Sequence, residues 1–225
     1  MLISRRSLIA STAVLPVLTL PGCAGGIGGF NLVEVIRRLL SLSSQRAFAS
    51  LMSENGFLSS QVARISLPAQ FGGQAASGIV GTLLNSGLVR DRLTRTVNRA
   101  AEKGAAAAAP VVADAILKVG IPNAAAIIAG GGSGATDLLK SAMGNALLSA
   151  MVPGIEGGLK LFDNGVINEA LRSVSGIDFA GLRSDVTQKA SDSIYRAIAS
   201  EEVAIRANPA STNDPLLMGV FGIVK

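Results

Sequence analysis

The sequence predicts an all-α protein, an irregular helical bundle of about six to eight helices behind a lipoprotein-type leader. Three observations predict it. Apolar residues recur at spacings of three and four, and no segment alternates with period two for long. Hydrophobic residues make up 49% of the chain but aromatics only 4%, so the core must be built from Ala, Leu, Ile and Val at close helix–helix spacing. Turn signals at Asn55-Gly56, "AGGGSGATD" and Asn208-Pro209 separate the periodic runs. At 225 residues the chain is long enough to bury one core.

The first segment reads as a leader rather than as part of the bundle. Arg5 and Arg6 form a charged region, and Ser7 to Leu20 is an apolar stretch of signal-peptide length. It is too short to span a bilayer, which needs about 20 apolar residues. Pro16 and Pro21 interrupt it as well. Leu20-Pro21-Gly22-Cys23 then looks like a lipobox, an aliphatic and a small residue before the cysteine that accepts a diacylglyceryl group. "SRRSLI" is similar to a twin-arginine signal, although a general secretory signal has the same layout. The expected organisation is a signal peptide at 1–22, an acylated Cys23 with a flexible tether at 23–30, and one helical domain at 31–225. Ala24 stands where an aspartate would favour retention in the inner membrane, so the outer membrane is the expected destination.

The domain is expected to begin with a helix from Leu32 to Met52, capped by Asn31. "SENGFLSSQVARISLPAQFGG" then reads as an extended loop. A small-residue helix is expected from Gly73 to Asn85, and a longer one from Leu88 to Val119. Pro110 should kink or break the latter near Ala106 to Ala109. The alanines of "GAAAAAP" should let another helix approach closely. A short helix should start at Pro122. A turn capped by Ser133 or Thr136 should feed a helix from Thr136 to Met151, ended by Pro153 and Gly154. Leu159 to Phe162 and Val166 to Val174 read as two shorter helices. Asp178 to Ala207 reads as a long amphipathic helix with Val186, Ala190, Ile194, Ala197, Ile198 and Ile205 as its apolar stripe. A last helix should start at Pro215 with Asp214 as its N-cap.

Composition removes several chemistries. With no histidine and one cysteine, the chain has no Ser-His-Asp triad, no Cys-His pair, no His-ligated metal and no internal disulfide. No cofactor or metal is expected. Without Arg5 and Arg6 the net charge falls from +5 to +3, too mild to suggest a nucleic-acid partner. The expected partner is the membrane, through the lipid on Cys23.

Three polar constellations remain. Arg92, Arg95, Arg99 and Lys103 share one helix face, beside Asn98 and Glu102. That face suits an anionic ligand or lipid headgroups, or else it is solvated, with Asp91–Arg95 and Arg99–Glu102 as internal pairs. "GGGSGATD" evokes a phosphate loop but lacks the Gly-Lys-Ser/Thr ending, which favours a turn before a helix N-terminus. There Thr136 and Asp137 would satisfy free N–H groups. Glu201 and Glu202 are adjacent, point about 100° apart, and so do not form a carboxylate pair; Glu202 is placed to pair with Arg206. Gln188, Lys189 and Tyr195 lie on the same helix, and Tyr195 should bury its ring with the hydroxyl at the edge.

The blocks "VNRAAEKGAAAAAPVVADAI", "GGGSGATDLLK", "DVTQKASDSIYRAIASEEVAIRANP" and "DPLLMGVFG" resemble, in order, the motif series of the bacterial domain-of-unknown-function family 4197 (DUF4197). The resemblance runs from Leu32 to Gly222. It implies a helical, exported protein, often a lipoprotein, and brings no biochemical activity. Asn98, Arg99, Glu102, Thr136, Asp137, Gln188, Lys189, Glu201, Glu202, Arg206 and Asn208 match those motifs and are the candidate polar site. Gly132 departs from them, standing where an aspartate is usual. The expected function is that of a non-enzymatic outer-membrane lipoprotein facing the periplasm that binds a protein, lipid or cell-wall partner. The alternatives are a periplasmic small-ligand binder or enzyme using the Arg/Glu/Asp cluster, and a carrier with an apolar cavity between helices.

Overall fold

Alanine and glycine set the geometry of this molecule. The computed structural model describes residues 31–67, 87–160 and 179–222, and these form eight α-helices and one 3-10 turn with no strand among them. The order is α1 (Leu32–Leu51), α2 (Gly56–Ser59), α3 (Gly87–Lys118), α4 (Ala124–Ala129), α5 (Gly134–Met143), α6 (Ala146–Leu159), α7 (Phe179–Ala207), the 3-10 turn Pro209–Thr212, and α8 (Pro215–Phe221). The all-α expectation holds. The expected helices at Gly73–Asn85 and Val166–Val174, and the leader with Arg5, Arg6 and Cys23, lie outside the described residues.

α1 begins where expected, with the Asn31 side chain accepting from the Glu34 N–H (3.3 Å). Its buried face, Val35, Ile36, Leu39, Leu40, Ala47, Phe48 and Leu51, packs on α7 and α3. The most extensive helix–helix contact joins α3 to α6. Ala100, Ala101, Ala105 and Ala108 of α3 and Leu147, Met151, Ile155 and Leu159 of α6 are buried, and Gly104 of α3 faces Ile155 and Met151 of α6. The backbones nearly touch: a Cβ on Gly154 would fall on the Lys103 carbonyl, and one on Gly158 on Ala100. Within the alanine tract Ala105 and Ala108 are fully buried and Ala106 is exposed, so one side of it packs.

Four boundaries differ from expectation. α3 runs unbroken through Pro110. Pro110 is exposed, and so is Ala106, whose carbonyl loses its helical partner and can be taken by water instead. The same holds for Pro153 inside α6, whose partner carbonyl belongs to exposed Ser149. The single helix expected from Thr136 to Met151 is two helices, α5 and α6, bent by 78°. Gly144 makes the bend at φ 50°. Leu139, Met143 and Leu147 are buried on both sides of the bend, so the apolar period continues through it. Pro122 lies in the turn before α4 rather than at its start, and left-handed Asn123 (φ 55°) is the N-cap.

α7 buries the expected stripe, and α8 is capped by Asp214, whose Oδ1 accepts from Leu216 and Leu217 N–H (3.0 and 3.1 Å). Arg38 of α1 reaches the same carboxylate (2.9 Å), tying the two ends of the domain together. No single helix among the described residues is long and apolar enough to cross a membrane. The α5–α6 pair passes only jointly and is sharply bent.

Candidate functional site

The candidate polar residues do not meet in one place. They form a buried clamp, a loop staple and two surface recesses.

The clamp centres on Glu202, whose side chain is fully buried. The turn from Gly130 to Ser133 puts Gly131 and Gly132 at φ 65° and 59°, and α5 starts beyond it with Ser133 making no side-chain cap. The free N–H groups at the start of α5 are met from α7 instead. Ala135 N–H donates to Glu202 Oε1 (3.1 Å), and Thr136 N–H and hydroxyl donate to Oε2 (2.7 and 2.6 Å). The carboxylate thus acts as an N-cap supplied from another helix, and its charge suits the positive helix end. One turn on, Arg206 pairs with Oε1 through Nε and NH2 (3.0 and 2.8 Å). Its guanidinium also donates to the carbonyls of Ile127 and Ile128 (both 3.2 Å), the last turn of α4, and lies 4.9 Å from the Phe221 ring centroid. The pair therefore closes both helix ends that flank the glycine turn. Thr136 is part of the clamp, as the recipient of the cap and not its donor. Asp137 is exposed, and the Ser133 hydroxyl donates weakly to it (3.5 Å).

Asn98 staples the loop before the second undescribed segment to α3. Fully buried, it accepts from Ile65 N–H and donates to Ile65 C=O, both at 2.9 Å, and donates to Thr94 C=O (2.8 Å). A single amide thereby pairs a whole extended residue as a strand would. Arg196 fastens the same loop at Val62 C=O (3.0 Å), and Lys189 reaches Ser66 C=O (3.5 Å) while pairing with Asp185 (2.8 Å).

Arg99 and Glu102 sit elsewhere, in an open recess of about 360 Å³ with Met52, Glu54, Lys103 and Ala106. Burial raises the Glu102 carboxyl above its ordinary range. The Phe57 and Gly56 N–H groups at the start of α2 and the Arg99 charge pull it down, while Glu54 pushes it up. No hydrogen bond closes on its buried Oε1. The expected ion pairs Asp91–Arg95 and Arg99–Glu102 do not form, and Arg92, Arg95, Arg99 and Lys103 stand exposed along α3.

The second recess, about 310 Å³, lies between α5 and α7 and gathers Ser133, Asp137, Lys140, Asp192, Tyr195 and Arg196. Lys140 pairs with Asp192 (3.5 Å) and lies 5.4 Å from the Tyr195 ring centroid. Gln188 donates to the other Asp192 oxygen (3.2 Å). Tyr195 buries its hydroxyl as well as its ring, without a hydrogen-bond partner, and burial with the nearby Asp192 charge pushes it up to about 12. Lys140, Asp192 and Arg196 escape a reading by motif. Their signal is spacing: Gln188, Asp192, Tyr195 and Arg196 follow one face of α7. Glu201 is half-buried and Asn208 precedes the 3-10 turn, its N–H donating to Ala204 C=O (3.0 Å). No group of three or more metal-ligating side chains exists among the described residues.

The family model for a protein of unknown function, DUF4197, matches residues 27–222, nearly the whole chain. The protein belongs to the DUF4197 family. No curated protein and no solved structure matches the chain. The matched span includes the clamp, the staple and the α3–α6 contact. Gly132 takes a left-handed conformation (φ 59°) that glycine adopts freely.

Proposed function

We propose that this DUF4197 chain is a non-enzymatic envelope lipoprotein: a helical domain tethered to the outer membrane through acylated Cys23, facing the periplasm and binding a protein, lipid or cell-wall partner. The leader, Arg5 and Arg6 before an apolar stretch and a lipobox, supports the anchor. The observation that carries the non-enzymatic part is the Glu202–Arg206 clamp. Its charges are saturated by four backbone groups and one hydroxyl of the protein itself, which leaves no free face for a substrate.

One observation favours the rival, a small-ligand binder: the recess between α5 and α7 gathers the side chains of Asp137, Lys140, Asp192 and Arg196. Its polar groups are the ones a periplasmic metabolite would meet.

Intact mass of the native product and membrane fractionation test the proposal. The expected product begins at Cys23 and carries a diacylglyceryl modification, and Cys23→Ser leaves an unanchored precursor. A chain beginning at Met1 with a free thiol contradicts the anchor. A stoichiometric metabolite released from the purified protein contradicts the preference over the small-ligand reading.

A further inference from the structure

An apolar groove opens between α1 and the second half of α3. It encloses about 460 Å³, and its walls are chiefly Phe48, Ala49 and Met52 on one side and Val112, Ile116 and Leu117 on the other. No charged residue lines it. Met52 and Leu117 are 42% and 65% exposed, so the apolar walls continue to the surface. A groove of this volume, apolar apart from Ser41, Ser44 and Gln45, fits an alkyl chain.

The chain outside the described residues says which one. α1 starts at Leu32, and the groove begins at Ser41, about 14 Å further along the helix. Cys23 precedes Asn31 by eight residues, four of them glycine. Eight residues have a full reach of about 28 Å. The near end of the groove, about 14 Å along α1 from Leu32, lies within that reach, so a group attached at Cys23 can enter it. Resting on the lipoprotein reading above, we propose that the α1–α3 groove holds an acyl chain of the protein's own Cys23 lipid whenever the protein is off the bilayer. The groove then shields the anchor from water between membranes and releases it into lipid.

The test uses the chain from Cys23 onward, which contains the whole described core, Val35 to Phe221. Its lone thiol is alkylated with hexadecyl maleimide, and binding of a fluorescent long-chain fatty acid is compared with the unalkylated protein. The fatty acid is expected to bind the unalkylated form and to be excluded by the tethered chain. Ala113→Trp, from an exposed groove position, is expected to weaken binding by about tenfold or more, with Ala49→Trp from the opposite wall as the second variant. No binding of the fatty acid overturns the proposal. So does equal binding to the alkylated form, which makes the groove a site for other lipids. A hexadecyl-bearing protein that sediments as a dimer overturns it too, because the chain then docks in a second copy. The intact mass of the native protein reports on acylation separately, so either idea can fail alone.

Discussion

Glu102 is held in a form that folding disfavours at neutral pH. Its Oε1 is buried with no hydrogen-bond partner, and burial is the main cause raising its carboxyl above the ordinary 4.5. A raised acid binds more protons folded than unfolded, so stability is highest below the unfolded value and falls as pH rises through the folded one. Glu102→Gln removes the charge and keeps the shape. Urea unfolding at pH 7 is expected to show a more stable variant, with the gain vanishing as pH falls below about 4. A gain that persists undiminished in acid would point to packing and not to the charge. Asn98 shows the opposite case, a buried polar group with all its backbone partners in place. Asn98 is fully buried and Glu102 half-buried, so what a buried polar atom costs follows its partners more than the depth of its residue.

Among the elements, α6 shows how much a glycine's neighbours decide. Gly154 and Gly158 lie where the α3 backbone leaves no room for a methyl group, whereas Gly157, on the same helix, has nothing near its missing Cβ. Gly157→Ala should stabilise the protein by about 0.5–1 kcal/mol through helix propensity. Gly154→Ala should destabilise it by about 1–3 kcal/mol or more, because the α3 backbone must move. Both are read from urea midpoints at constant slope. Equal effects at the two positions would mean that α3 and α6 are not packed this closely. The same contact explains why Pro153-Gly154 looks like a helix stop in the sequence and is not one.

At the scale of the whole molecule, the Glu202–Arg206 pair joins α4, α5, α7 and α8 at one point. The Arg206 side chain is 8% exposed and that of Glu202 0%. Removing one partner of such a pair strands a buried charge, which costs about 3–5 kcal/mol. Glu202→Ala is therefore expected to lose that much in equilibrium unfolding and to free the start of α5 for amide exchange. A double variant, Glu202→Ala with Arg206→Met, should recover part of the loss, since no lone charge is then left inside. A loss below 1 kcal/mol for Glu202→Ala would show that water reaches the clamp.

What the sequence by itself determined is whatever depends on neighbours along the chain. The helix class, the start of α1 at Asn31, the α7 stripe from Val186 to Ile205, the Glu202–Arg206 pair one turn apart and the Asp214 cap all follow from periods of three and four and from local hydrogen bonding. Tertiary structure decided what depends on segments far apart. It made Glu202 the cap of a helix more than 60 residues away, turned Asn98 into a loop staple, and opened a groove between α1 and α3. It also ran two helices through prolines because those faces meet water. Local spacing orders residues along one helix, but which helix lies opposite is set by the joint burial of several apolar faces, and no single window of sequence contains that information.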